Sequence, residues 1–353
     1  GGIYTAETYD AVMMIGAAYN AGGDMADSLN SVGVGYGGAS GSHTFLPNGD
    51  VAGAGYDICK FDARSSTDIY FTCMQWWSAI DGIQDTPFAG MTVKIGFLNP
   101  MTGPIAVYAP GFGVAANVAL SMMNIAGWNS GLQFEMVMVD SGCSPEVAAT
   151  GAQTLLDAGV VGVVGAACSG ATMAANAILG AAGIPMISYA STNPGLSDAT
   201  AYPHFYRVVP SDAIQGPALA DVVTADGGSD VALLYMTNDY GSGLADSVKA
   251  AWEGNGNSLC ASGMQGYEET TTSFGSLADG IAGNADCTAV YLSSYITDAA
   301  LIIEALNDAE YTGAIFGGDG PAGIGLYEKL EDDTMAEGMT VSAPRAGSTY
   351  GDF

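Results

Sequence analysis

The chain is predicted to be an α/β protein of two doubly wound parallel-sheet lobes, on three observations. Its 353 residues are enough for two hydrophobic cores. Its composition, 49% hydrophobic and 12% charged, is that of a packed globular protein and the reverse of a disordered one. From Met91 onward, short apolar runs alternate with helix-like segments across short polar turns, and the alternation restarts at Val231. Repeated strand–helix–strand units call for a parallel sheet covered on both faces.

Taken in order, Val93–Leu98 reads as the first strand of this pattern, followed by a loop and a helix over Ala106–Ala126. Phe134–Val139 is the next strand. Ser144-Pro145-Glu146 then opens a helix running to Ala158, with a capping hydroxyl, a first-turn proline and an acid that suits the helix dipole. Val160–Val164 and Pro185–Ser188 are strands flanking a helix over Thr172–Ala182. After a junction near Val208–Ser211, strands are expected at Val231–Met236, Ala289–Ser293, Ala314–Phe316 and Met339–Ser342. Helices are expected over Gly243–Gly254, Phe274–Ala282 and Asp298–Ala309.

The first ninety residues differ. Tyr9–Ala21 and Met25–Val32 read as helical, Gly33–Gly41 as a glycine-rich stretch, and Phe45–Asp50 as a turn. Tyr56–Phe61 and Asp68–Cys73 suit a hairpin stapled by Cys59 and Cys73, and Asp81–Gly90 reads as a linker after Trp76-Trp77.

With 37 acidic against 7 basic residues, the net charge of -30 repels phosphates and anionic lipid heads, which excludes nucleic acid and membrane surfaces as partners. The acids are scattered and read as a solvated surface. No charge occurs between Asp157 and Asp198, but Gly170, Gly183, Pro185 and Asn193-Pro194 cut that stretch into strand, helix and strand of a buried sheet. No leader is visible at Gly1, so the chain reads as mature or trimmed.

The six cysteines form no CxxC and only two histidines exist, His43 and His204, so a zinc site is not expected. Three local pairs suggest themselves: Cys59 with Cys73, Cys143 with Cys168, and Cys260 with Cys287. Disulfides are favoured over buried thiols, and with them an oxidising compartment. Gly318-x-Gly320-x-x-Gly323 and Gly33-x-Gly35-x-x-Gly38 fit a dinucleotide fingerprint only superficially, since Pro321 interrupts the first and no strand precedes the second. There is no P-loop, GxSxG or HExxH, and nothing recommends catalysis or a cofactor.

Several ordered segments resemble the branched-chain amino-acid-binding family of type I periplasmic solute-binding proteins. Lys94-Ile95-Gly96-Phe97 through Met101-Thr102-Gly103-Pro104 resembles its first strand and loop, and Cys143 and Cys168 resemble its lobe-one disulfide. Ile187–Pro194, Asn238–Gly243 and Phe316–Gly320 resemble three further family segments. The order is anomalous: Tyr4–Ala11 and Phe45–Phe61 resemble late family segments yet precede the start. The resemblance therefore implies a circular permutation, tolerated where termini lie on exposed, adjacent loops. It divides the chain into 1–55 and 91–210 with 343–353 as lobe one, and 56–90 with 211–342 as lobe two, joined by a hinge.

By that resemblance, Ser169, Ala190 and Thr192, with Ser191 between the last two, contact the carboxylate and ammonium of an amino acid. Asp319 occupies an acidic position where the family usually has Glu. Tyr240, Tyr108, Tyr295 and Tyr9 match aromatic positions lining the cleft. A strand end, small residues and a helix start at Ser169–Thr172 suit a carboxylate on physical grounds as well. The resemblance implies a periplasmic or extracellular monomer that delivers an amino acid to a membrane ABC permease. A sensory ectodomain and a surface-array protein are the rival readings. The scarcity of Arg and Lys disfavours acidic amino acids as ligands.

Overall fold

The computed structural model describes residues 5–38, 41–45, 56–63, 69–78, 82–85, 91–127, 132–225 and 228–344. It divides into two compact units, one of residues 1–93 and 119–134, the other of 94–118 and 135–353.

The first unit opens with α1 (Thr5–Ala21) and α2 (Met25–Val32), which pack together. Asp24 caps α2, its carboxylate accepting from the Ala26 and Asp27 amides. The glycine-rich stretch expected to be irregular forms an antiparallel hairpin, β1 (Val34–Gly38) with β2 (Gly41–Thr44). Its entry needs Gly33, where a Cβ would fall 2.2 Å from the Phe45 ring. β3 (Tyr56–Ala63), β4 (Ile69–Ser78) and β5 (Gly82–Asp85) form an antiparallel sheet, with Cys59 and Cys73 disulfide-bonded across it. The second strand runs on through Trp76-Trp77, and β5 lies inside the expected linker. The expected turn at residues 46–50 lies outside the described residues.

The second unit carries two parallel sheets of identical winding. In the first the order is β10 (Phe205–Arg207), β9 (Met186–Ser188), β8 (Val163–Val164), β6 (Thr92–Asn99) and β7 (Gln133–Asp140). In the second it is β12 (Ser258–Tyr267), β11 (Asp230–Met236), β13 (Ala289–Ser293), β14 (Ala314–Gly317) and β15 (Thr340–Val341). The central strands are apolar without alternation because helices cover both faces: every residue of β13 is buried. α3 (Ala109–Gly127) follows β6 and is shared between the two units, while α4 (Pro145–Asp157, capped by Ser144) and α5 (Ser169–Leu179) belong to the first sheet's lobe. Around the second sheet lie α6 (Asp212–Ala225), α7 (Asp239–Gly254), α8 (Gly275–Ala282) and α9 (Ile296–Asp308). On α7, Tyr240, Leu244, Val248 and Trp252 recur every fourth residue as one buried stripe. The uncharged stretch from Asp157 to Asp198 is cut into β8, α5 and β9 as expected, with Val163, Ala171, Ala175, Leu179 and Met186 inside the core.

Among the elements that escaped the sequence reading, α6 and β12 have identifiable reasons. α6 contains Gly216-Pro217, which reads as a breaker because Pro217 removes one helical hydrogen bond. Burial of Leu219, Ala220 and Val223 holds the helix, and Gly216 lets it press against Ser247 of α7, whose carbonyl carbon lies 2.6 Å from where a Cβ would sit. β12 is an edge strand with a register shift and a mixed sequence, so no alternation marks it. Helix α3 is apolar yet exposes Val107 just before it, then Val114, Val118 and Met122, and the span Ala106–Asn124 is long and apolar enough to cross a membrane by length and composition alone.

All three anticipated disulfides are present, Cys143–Cys168 and Cys260–Cys287 closing loops of 25 and 27 residues. On loop entropy, replacing Cys143 and Cys168 with Ser destabilises unfolding equilibria by about 3 kcal/mol. Urea denaturation of the double variant against the parent measures this.

Candidate functional site

In each sheet the third strand in chain order lies beside the first and the second lies on the far side of it. The connections therefore leave in opposite directions at β6/β8 and at β11/β13, opening a crevice at the carboxyl ends of the strands. The loops that follow β8, β9, β11, β13 and β14 carry most of the residues singled out in the sequence.

On the first lobe, α5 begins at Ser169 directly after the β8 loop, and its capping position, Cys168, makes no side-chain capping bond. Its first amides present the positive end of the helix dipole. Ser169 Oγ accepts from the Asn193 amide at 3.3 Å. The Ser191 hydroxyl is engaged inside the lobe, by Thr172 Oγ1 at 2.7 Å and the carbonyls of Ala166 and Ala167. The Ala190 amide donates to Ser188 Oγ. Thr192 Oγ1 is different: it is buried, makes no hydrogen bond of ordinary geometry, and lies beside the Asp212 carboxyl.

On the second lobe, Asp319 is held between two glycines that only glycine can fill. A Cβ on Gly318 would meet Leu244, Tyr291 and Tyr240, and one on Gly320 would fall 2.1 Å from the Ser294 carbonyl. Asp319 Oδ1 accepts from the Tyr240 hydroxyl at 2.9 Å and from Gln215 Nε2 at 3.1 Å, and Tyr240 in turn accepts from the Gly320 amide. Tyr240 stacks on Tyr295 with ring centres 5.2 Å apart and planes 2° from parallel. The Tyr295 hydroxyl lies 3.6 Å from Cys143 Sγ, which joins the two lobes. Burial pushes the hydroxyls of Tyr240, Tyr291 and Tyr295 well above the ordinary tyrosine range, so all three remain protonated donors.

Sequence reasoning missed Asp212, the first residue of α6. It is fully buried, its carboxylate makes no hydrogen bond of ordinary geometry, and the Thr192 hydroxyl is the donor that comes nearest to it. Burial pushes it up to about 7, and the Asp319 charge adds to the rise, while Thr192 and Arg207 oppose it. Arg207 does not pair with it: its guanidinium donates to the carbonyls of Ser191 and Asn193 and to Ser197 Oγ. An acid at a helix start after Pro210-Ser211 reads as an ordinary dipole partner, and nothing local reveals that it is buried. A buried carboxylate without a paired cation is costly, and a cation supplied from outside relieves it.

The structure thus gathers Thr192, Asp319, Tyr240 and the missed Asp212 into one polar cluster, with Tyr295 stacked on its edge and Ser169 on the first lobe. Tyr108 is half-buried, packed on Phe112, and its hydroxyl lies 3.9 Å from where a Gly323 Cβ would sit on the other lobe. Tyr9 lies on α1 in the first unit, and its side chain is outside the described ones. A cavity of about 210 Å³ is lined by both lobes, including Cys143, Cys168, Gly170, Tyr240, Glu269 and Tyr295. A wider groove of about 480 Å³ runs between Asn193–Gly195 and α7; the smaller cavity is the one that reaches Tyr240, whose hydroxyl bonds Asp319. Among the described residues no group of His, Cys, Asp and Glu could hold a metal ion.

A family described as periplasmic binding protein matches residues 92–349. The leucine-, isoleucine-, valine-, threonine- and alanine-binding protein of Pseudomonas aeruginosa is 30% identical over 272 residues, 76% of this chain and 70% of that one. Metabotropic glutamate receptor 4 of Mus musculus is 32% identical over 194 residues, 54% of this chain and 21% of the receptor. Among solved structures, the branched-chain amino acid transporter substrate binding protein LivJ of Streptococcus pneumoniae, in complex with isoleucine, superposes with a TM-score of 0.61 at 27% identity, covering 68% of each chain.

Proposed function

Since the chain belongs to the periplasmic binding protein family, we propose that it captures a free amino acid between the two lobes of its second unit, outside the cytoplasm, for an ABC importer. The observation that carries the reading is Asp212, a buried carboxylate beside Asp319 with no cation paired to it. Across the crevice the uncapped start of α5 offers amides to an anion. Cation-seeking and anion-seeking groups within one crevice complement a zwitterion. Closure of the lobes would exclude water and strengthen both sets of contacts. The name of the Pseudomonas relative supports the ligand class. Residues 1–91 lie outside the matched region, and the permuted order belongs to the same proposal.

Melting curves of protein stripped of carried-over solute by unfolding and refolding test the reading against the twenty amino acids. A ligand at a hundred times its dissociation constant stabilises by about 2.7 kcal/mol, a shift of several degrees at most for a chain this size. A shift confined to amino acids is expected, and no shift with any of them sinks the assignment. The receptor similarity favours a second reading, a ligand-sensing ectodomain. Co-purification with a permease separates the two.

A further inference from the structure

We propose that Asn193 is a positioning residue for capture, a latch that donates from one lobe to the Asp239 carbonyl of the other and sets how long the closed lobes retain the solute. This rests on the amino-acid reading above and deepens it.

Within the first lobe the Asn193 amide donates to Ser169 Oγ at 3.3 Å, its carbonyl accepts from Arg207 Nη1 at 3.0 Å, and its Oδ1 accepts from the Gly195 amide at 2.7 Å. Three of its four polar groups thus fix the residue, leaving Nδ2 to reach the other lobe. That group donates to the carbonyl of Asp239, the first residue of α7. Two glycines make room at this seam. A Cβ on Gly243, one turn along α7, would fall 2.4 Å from Asn193 Nδ2. A Cβ on Gly170, the second residue of α5, would fall 2.6 Å from Asp239 Oδ2. Each lobe therefore carries a notch that admits a polar side chain of the other.

The seam adjoins the site. Asn193 follows Thr192, and Asp239 precedes Tyr240, whose hydroxyl bonds Asp319. Asn193 lines the wider groove, and Asp239 lines both that groove and the smaller cavity, so the latch is part of the wall between them. A bond made only between closed lobes stabilises the closed form alone, and so slows release without changing encounter.

Asn193→Asp tests this. Its Oδ1 still accepts from the Gly195 amide, but the donor is lost and a carboxylate faces the Asp239 carbonyl. An unliganded melting curve verifies that the fold is kept. Stopped-flow kinetics with each of the twenty amino acids read the rates in parent and variant. For those that bind the parent, release is expected at least about tenfold faster in Asn193→Asp, as loss of one hydrogen bond provides, with association changed by no more than about twofold. Gly243→Ala, which fills the notch, should speed release in the parent and add nothing in Asn193→Ala. An unchanged release rate in Asn193→Asp, or a Gly243→Ala effect equal in both backgrounds, overturns the latch and leaves the amino-acid reading standing. If no amino acid binds the parent, that reading falls, and the distance between spin labels on Thr200 and Glu253, exposed residues of the two lobes, decides the latch in the unliganded protein. A distance lengthened by Asn193→Asp supports it for another solute, and an unchanged one overturns it.

Discussion

Asp319→Asn raises the dissociation constant for the captured amino acid at least about a hundredfold, measured by titration calorimetry. The substitution keeps the shape of the side chain and removes only the charge that would meet the ammonium. Removing one partner of a desolvated charge pair costs about 2 to 5 kcal/mol, and a hundredfold lies within that range. Asn is the more informative change than Ala, because Gln215 Nε2 and the Tyr240 hydroxyl both donate to Asp319 and would be orphaned by truncation. The unliganded variant should melt no lower than the parent. The Asp319 charge helps to hold Asp212 in its protonated form, so its removal relieves a repulsion. A dissociation constant within threefold of the parent's would remove Asp319 from the site.

The two lobes were legible because parallel strands buried on both faces leave unbroken apolar runs, as at Val231–Met236 and Ala289–Ser293. Ser144-Pro145-Glu146 announced α4 through capping chemistry that acts locally. What stayed hidden depends on distant parts of the chain. α6 is a helix in spite of Pro217 because α7 covers its face, and the hairpin of β1 and β2 rests on backbone pairing that glycines do not advertise. The site divides in the same way. Ser169, Thr192, Tyr240 and Asp319 sit in recognisable segments, whereas the significance of Asp212 lies in its burial beside Asp319, residues 107 positions apart in the chain. Ser191 was grouped with its neighbours, yet its hydroxyl points back into the lobe, as alternation along an extended segment requires.

The proton on Asp212 gives the second large effect: affinity for the amino acid should rise with pH from 5.5 and level off above about 7. In the unliganded protein this carboxyl stays protonated up to about 7, chiefly because it is buried. An arriving ammonium favours the ionised form, so binding expels a proton wherever the free site still holds one, and log affinity climbs by up to one unit per pH unit. Stability of the unliganded protein runs the other way. The unfolded chain releases this proton near 4, so between there and about 7 the native state binds more protons and stability falls as pH rises. Asp298, raised to about 6 by burial, adds to the fall. The carboxyl therefore costs the empty protein stability at neutral pH, and the ligand's ammonium offsets that cost on binding. Asp212→Asn should flatten the affinity profile and remove proton release, seen as the loss of any difference between calorimetric enthalpies in two buffers of unlike ionisation heat. A parent affinity that stays constant from pH 5.5 to 8 would mean that Asp212 does not meet the ligand.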